Sequence, residues 1–292
     1  MQQISDYLTL IKFRVNSLVL FTTAIGMILA AGDLGISLAA LPWLTVLGFV
    51  ACGVFGAAAF NMAFEGDVDG LMSRTCRRPV PAGRIAPSHA YIFSAILCVI
   101  GVAGLLLTIG ALAACLLAIA ILIYTAVYTA WLKRTTPQNI VIGGGAGALA
   151  PLIGYSAITD ELSLTPIALG VAIFLWTPPH FWTLALYHED EYARAKIPMM
   201  NNIIGPLKTA RQIFFYTLLT ALAIIYAGIS AGLTWVVLLQ LGFFSALWLG
   251  LCLRTWWALH KNKAFEGTAK KGFRMSIFFL FITCSLIIFG HA

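Results

Sequence analysis

Apolar runs long enough to cross a hydrocarbon core recur along the whole chain, and this repetition sets the fold class before any motif is considered. A helix needs about 20 apolar residues to span a core of roughly 30 Å. Such runs cover residues 15–32, 39–60, 90–108, 111–130, 139–158, 166–187, 212–229, 233–253 and 273–290. Two of the hairpins follow from length alone. Residues 90–130 are too long for one helix, and Gly110 is the expected turn. Residues 213–253 pose the same problem, with Gly228, Ser230 and Gly232 at the turn. The chain is 61% hydrophobic and only 10% charged, whereas soluble domains carry about a quarter charged residues. Backbone groups in lipid must be bonded within their own segment. The expectation is an all-α membrane protein of nine transmembrane helices, forming a single domain over residues 1–292.

The basic residues test that count. Lys12 and Arg14 precede the first run, and Arg74, Arg77, Arg78 and Arg84 follow the second. Lys133 and Arg134 follow the fourth, and Arg194, Lys196, Lys208 and Arg211 the sixth. Arg254, Lys261, Lys263, Lys270, Lys271 and Arg274 follow the eighth, so all 18 Lys and Arg fall on one side. The opposite loops hold Asp33, Asp160 and Glu161. A missed or extra span would scramble this separation. By the positive-inside rule the N-terminus and the charged loops are cytoplasmic and the C-terminus is outside. The net charge of +7 is thereby a topology signal. No basic stripe alternates with aromatics, so nucleic acid is not an expected partner, and the lipid bilayer is. The apolar run from Val15 to Ala31 is too long for a signal-peptide core, and the plasma (inner) membrane of a prokaryote is the simplest location. The six cysteines form no Cys-x-x-Cys pair, and neither a disulfide framework nor a zinc site is expected.

The chemistry concentrates after the second run, in Asn61-Met-Ala-Phe-Glu65-Gly-Asp67-Val-Asp69-Gly-Leu-Met-Ser-Arg74-Thr75-Cys-Arg77-Arg78-Pro79. Asn61, Glu65 and Asp69 are spaced i, i+4, i+8 and share one helical face. Like charges stacked this way repel, which makes a poor stability device. Three oxygen donors in a column suit Mg²⁺, which takes a carboxylate or two and leaves positions for substrate phosphates. Asp67 falls off that face, either supporting the ligands or marking the end of the helix, and Gly66 and Gly70 leave both open. A solvated acidic helix end is the bland alternative. Ionisable groups near a bilayer are costly, however, and are usually functional. Arg74, Arg77 and Arg78 follow closely, and Lys133 and Arg134 arrive from another loop, so acids and phosphate-gripping bases meet at one mouth. A second cluster, Glu189-Asp190-Glu191 followed by Tyr192, suits a second metal ion, the polar end of an acceptor, or merely a charged helix exit. His180 follows Pro178 and Pro179, which should kink or unwind the sixth helix. It either faces a cavity as a ligand, as neutral imidazole can, or hydrogen-bonds the carbonyls that the kink frees.

The stretch from Asn61 to Pro79 resembles the first signature of the UbiA-type intramembrane prenyltransferases, here Asn61, Glu65, Asp69, Arg74-Thr75 and Arg78-Pro79. Within that superfamily, the Glu-x-Asp-x-Asp run with Met72-Ser-Arg74-Thr75 is similar to the haem-farnesylating branch. Further similar blocks are Leu10-Ile-Lys12-Phe-Arg14-Val15, with Phe13 in place of the usual Pro, and Tyr128 to Arg134 with Pro137, Asn139 and the Gly143–Gly147 run. Trp176 to Trp182 and Tyr192 to Met199 complete the series, so the resemblance spans nearly the whole chain. Glu65 stands where many members have Asp. The second acidic cluster departs from the spacing of quinone-type members, and Asn201-Asn202 replaces a more hydrophobic run.

The resemblance implies a bundle of nine helices around a cavity open to the cytoplasmic side. Asn61, Glu65, Asp67 and Asp69 would be catalytic, with Asn61, Glu65 and Asp69 on Mg²⁺. Arg14, Arg74, Arg78, Lys133 and Arg134 would hold diphosphate, with Asp190, Glu191 and Tyr192 as the second cluster and His180 toward haem. Farnesyl diphosphate and haem b would be the substrates, and a downstream haem-handling protein or oxidase assembly would take the product. Two alternatives compete. A quinone-type aromatic prenyltransferase lacks the blocks around His180. A transporter would place its charges at the membrane midplane and tend to show internal repeats.

Overall fold

The structure, a computed structural model, describes residues 2–291 except 74, 189–192 and 195–196. Among the described residues, nine helices are long and apolar enough to cross a membrane. They are Phe13–Leu34, Trp43–Phe64, Pro87–Thr108, Ala111–Thr135, Asn139–Thr159, Leu164–Leu186, Pro206–Ser230, Trp235–His260 and Glu266–His291. Every apolar run thus becomes one helix, because lipid leaves a backbone no other way to satisfy its own donors. Gly110 forms the turn between the third and fourth spans. Gly228 instead stays inside the seventh helix, and the next turn runs over 231–234 with Gly232 at φ +70°. The fourth, eighth and ninth helices outrun their apolar segments by several residues. Hydropathy marks where hydrocarbon stops, whereas helical hydrogen bonding continues into the charged turns that carry Lys133, Arg254 and Lys270.

Three local features bear on the site. The mixed N-terminal segment is itself a helix, Gln2–Leu10. Asp6 anchors it by accepting the Arg84 Nε at 2.9 and 3.1 Å. Lys12, in the left-handed region at φ 46°, turns the chain from this helix into the first span. The fourth span is wound as a π-helix over Ile123–Leu132. The fifth span is interrupted at Leu149, between Asn139–Ala148 and Ala150–Thr159. The sixth helix keeps its winding from Leu164 to Leu186 through Pro178 and Pro179. Of the expected kink or unwinding, the unwinding is absent, and the helix runs on through both prolines.

The first and fifth spans touch backbone to backbone. A Cβ on Gly26 would lie 2.0 Å from the Pro151 carbonyl oxygen, and one on Gly154 would lie 1.8 Å from that of Thr23. Small residues at helix crossings allow this approach, which lipid alone does not drive. The core among the sixth, eighth and ninth spans is built on Trp176, Trp182, Trp248 and Phe279, while Leu44, Val99, Leu107, Leu239 and Phe243 face outward as a lipid-compatible surface. At the end remote from the basic loops, Asp33 accepts the Tyr155 hydroxyl at 2.8 Å and lies 3.1 Å from His291 Nε2. The turns of the bundle put all described basic residues at the other end. In a cysteine-free background, a cysteine at Lys263 should be labelled only from the cytoplasm and one at Glu161 only from outside. Outside labelling at position 263 would refute the nine-span topology.

Candidate active site

Asn61 lies in the last turn of the second span, and Glu65 is the residue at which that helix pauses. A short helix, Gly66–Asp69, follows and ends at Gly70. The column survives the pause, because the Glu65 amide donates to Asn61 O at 3.0 Å and the Asp69 amide to Glu65 O at 2.8 Å. All three side chains are buried, with exposures of 2%, 4% and 3%. Asp67 leaves the column, as its i+2 offset requires, and its side chain is mostly exposed.

Each member of this stretch meets a separate partner. Lys12 Nζ donates to Asn61 Oδ1, and the Asn61 amide donates to Thr129 Oγ1 at 3.0 Å. Lys133 pairs with Glu65 at 2.5 Å and Arg78 with Asp69 at 2.7 Å. Arg134 grips Asp67 with both terminal nitrogens, at 3.0 and 2.8 Å, and this pairing holds the Asp67 carboxyl below its usual range. Thr75 donates to the Asp69 carbonyl at 2.8 Å, which folds the Arg78 loop back over the column. Buried carboxylates demand such compensation. Burial, with Arg78 and Lys133 close by, lowers the Lys12 ammonium to about 7.

The π winding of the fourth span explains how three of these partners reach the same acidic stretch. The Lys133 amide bonds Tyr128 O, five residues back, and Thr129 Oγ1 donates to Tyr124 O at 2.8 Å. Bonding from i to i+5 slows the rotation per residue, so Thr129 and, in the α turn that follows, Lys133 and Arg134 come round to one side of the helix. In ordinary α winding, Arg134 would sit about 140° around the axis from Thr129. Instead Thr129 meets Asn61, Lys133 meets Glu65 and Arg134 meets Asp67. Gly143 makes room for the Tyr128 ring, since a Cβ there would lie 2.4 Å from it. Single stretches of π-helix gather at functional sites for this kind of re-aiming.

His180 sits six residues before the end of the sixth helix, about 9 Å along its axis. Its Nδ1 lies 2.7 Å from Ser276 Oγ on the last span, and its ring stacks between Trp176 and Phe273. Its side-chain hydrogen bond goes to that hydroxyl and not to a carbonyl next to the prolines.

Of the anticipated residues, Asn61, Glu65, Asp67, Asp69, Arg78, Lys133 and Arg134 come together. Arg14 is exposed on the first turn of the first span, and Lys12 is the basic residue of that segment which reaches the column. Arg74, Asp190, Glu191 and Tyr192 lie outside the described residues. Lys12 and Thr129 were missed as site residues. The Lys-x-Arg opening hinted at the first, but no local signal marks a threonine placed by a π-helix.

Residues 19–282 match the UbiA prenyltransferase family. The chain is 42% identical over 281 residues to a protoheme IX farnesyltransferase of Brucella ovis, covering 94% of this chain and 86% of that one. It is 42% identical over 295 residues to a protoheme IX farnesyltransferase of Afipia carboxidovorans, covering 97% and 89%. Among solved structures, a chain from work on digeranylgeranylglyceryl phosphate synthase in membranes superposes with a TM-score of 0.80 at 19% identity, covering 100% and 99%. A UbiA homolog from Archaeoglobus fulgidus bound to GPP and Mg²⁺ gives 0.60 at 17%, covering 97% and 99%.

Proposed function

The chain belongs to the UbiA prenyltransferase family, and from that premise we propose that it transfers the farnesyl group of farnesyl diphosphate to a vinyl group of haem b. The observation that carries the proposal is the buried Asn61–Glu65–Asp69 column with a base on each member, at the charged end of a nine-span bundle. The acceptor is supported by relatives at 42% identity that bear the name protoheme IX farnesyltransferase.

The donor set is all oxygen, with two carboxylates and one carboxamide, and this suits Mg²⁺ with diphosphate oxygens completing its shell. Among the described residues, no three His, Cys, Asp or Glu side chains form a ready-made cage. Glu65 and Asp69 are turned instead toward Lys133 and Arg78. When bound, Mg²⁺ would supply charge neutralisation of the diphosphate leaving group. Glu65 and Asp69 would hold that charge in place, and Lys12, Arg78 and Lys133 would swing from the acids onto diphosphate oxygens. Charge developing on the leaving group is then met by donors already in position. The farnesyl C–O bond breaks with its electron pair going to diphosphate. The vinyl π electrons bond the resulting allylic carbon, and water adds to the new cation with loss of a proton. Apolar walls would have to keep water from the allylic cation until then. We place the cavity mouth on the cytoplasmic side of a prokaryotic inner membrane. His180 would hold the haem, and the product would pass to a haem-handling or oxidase-assembly partner.

Protein in lipid nanodiscs should move label from farnesyl diphosphate onto haem b and not onto a hydroxybenzoate acceptor. Label on the aromatic acid instead would assign the chain to a quinone-type activity. Chelation of divalent cations should stop turnover, and added Mg²⁺ should restore it. Turnover that survives chelation would refute the metal assignment.

A further inference from the structure

The sixth and ninth spans meet at His180 in an arrangement that controls the imidazole more tightly than packing requires. Ser276 is fully buried, and its hydroxyl donates to Phe273 O at 2.7 Å. With its one proton committed there, Ser276 Oγ offers only lone pairs to His180 Nδ1 at 2.7 Å. Nδ1 must therefore carry the proton, and in the neutral ring Nε2 is the unprotonated nitrogen. The ring plane is fixed as well. Trp176 stacks on one face at 4.3 Å and 16°, Phe273 on the other at 4.6 Å and 22°, and Phe181 abuts its edge at 5.4 Å and 88°. Trp176 is itself tied to the Ser276 carbonyl through its indole N–H at 2.9 Å. One turn of the last span thus supplies a ring face, a hydroxyl and a carbonyl to this clamp. Among the described residues, Nε2 has no hydrogen-bond partner.

We propose that Ser276 is a positioning residue that fixes the His180 tautomer and so presents Nε2 to the iron of the haem substrate. A histidine that binds metal through one nitrogen commonly donates its other N–H to an acceptor that sets its tautomer and orientation. Here that acceptor is a hydroxyl oriented by a backbone carbonyl. The proposal rests on haem being the acceptor substrate, and it adds a residue that touches neither diphosphate nor iron.

The test is ferric haem b titrated into nanodisc-embedded wild-type, His180→Ala, Ser276→Ala and Ser276→Thr proteins. Absorption is read on the ferric complex and the iron–histidine resonance Raman band after its reduction to ferrous haem, alongside farnesyl diphosphate binding. Wild type should show a histidine-ligated spectrum that His180→Ala loses and added imidazole restores. Ser276→Ala should bind haem about tenfold more weakly with a shifted iron–histidine band. Ser276→Thr should restore both, because it keeps the hydroxyl, and farnesyl diphosphate affinity should not move in any variant. If Ser276→Ala does not fold, Ser276→Cys keeps the volume but accepts hydrogen bonds poorly, and the same loss is expected. A Ser276→Ala or Ser276→Cys protein with the wild-type affinity and band overturns the positioning role. Wild type that binds haem identically to His180→Ala overturns the ligation while leaving haem as substrate. Wild type that binds no haem overturns the substrate assignment and this proposal together.

Discussion

Asp69→Asn is expected to leave the protein folded and inserted while lowering turnover by about 100- to 1,000-fold, the size of effect seen when one preorganised electrostatic group is removed from a reaction centre. The substitution keeps the shape of the side chain and keeps an oxygen for Arg78, which lies 2.7 Å away. The position is 3% exposed, so the lost charge has little water to replace it. What disappears is half of the carboxylate charge that the column offers to a metal-bound diphosphate. The check is a turnover rate together with a melting curve in the same nanodiscs. A wild-type rate in the Asp69→Asn protein would remove Asp69 from the site, and a collapsed melting curve would show that its role is structural.

Gly154→Leu should have the largest effect on folding. A Cβ there would lie 1.8 Å from the Thr23 carbonyl oxygen, and the neighbouring backbone atom Met27 N is 3.1 Å away. No rotamer change relieves a clash with backbone, so the first and fifth spans must separate. The loss should reach about 4–5 kcal/mol or more, at the far end of single-substitution effects, and folded protein should not accumulate. Gly147 lies on the same span with open space where its Cβ would be. Gly147→Leu should therefore be recovered as monodisperse protein with nearly unchanged melting. Equal recovery of the two variants would contradict the close crossing.

The span count was legible because the signal is local and redundant: long apolar runs fix each helix, and the one-sided Lys and Arg residues check their number. Gly110 was readable as a turn for the same reason. Helix ends were not, since a charged turn such as Lys133–Thr135 can stay helical outside hydrocarbon. The acid column was readable because Asn61, Glu65 and Asp69 recur at a helical interval that serves no stabilising purpose. Their partners were only partly readable. Arg78 sits within the same motif, but Lys12 reaches Asn61 across 49 residues. The π winding that aims Thr129, Lys133 and Arg134 depends on contacts such as Tyr128 against Gly143, which a linear pattern does not encode. At Pro178 and Pro179 local chemistry pointed toward a kink or unwinding, and the helix stays wound through the pair. Trp176 and His180, on either side of the pair, are both held by Ser276.

The central claim is that this site joins a farnesyl group to haem, and mass spectrometry of the haem extracted after reaction tests it most directly. Wild-type protein given haem b, farnesyl diphosphate and Mg²⁺ should yield haem that has gained one farnesyl group and one hydroxyl group. One diphosphate should be released per farnesyl transferred, and the Asp69→Asn protein should yield almost none. Unmodified haem beside farnesol, or farnesylated haem formed equally by the Asp69→Asn protein, would contradict the account.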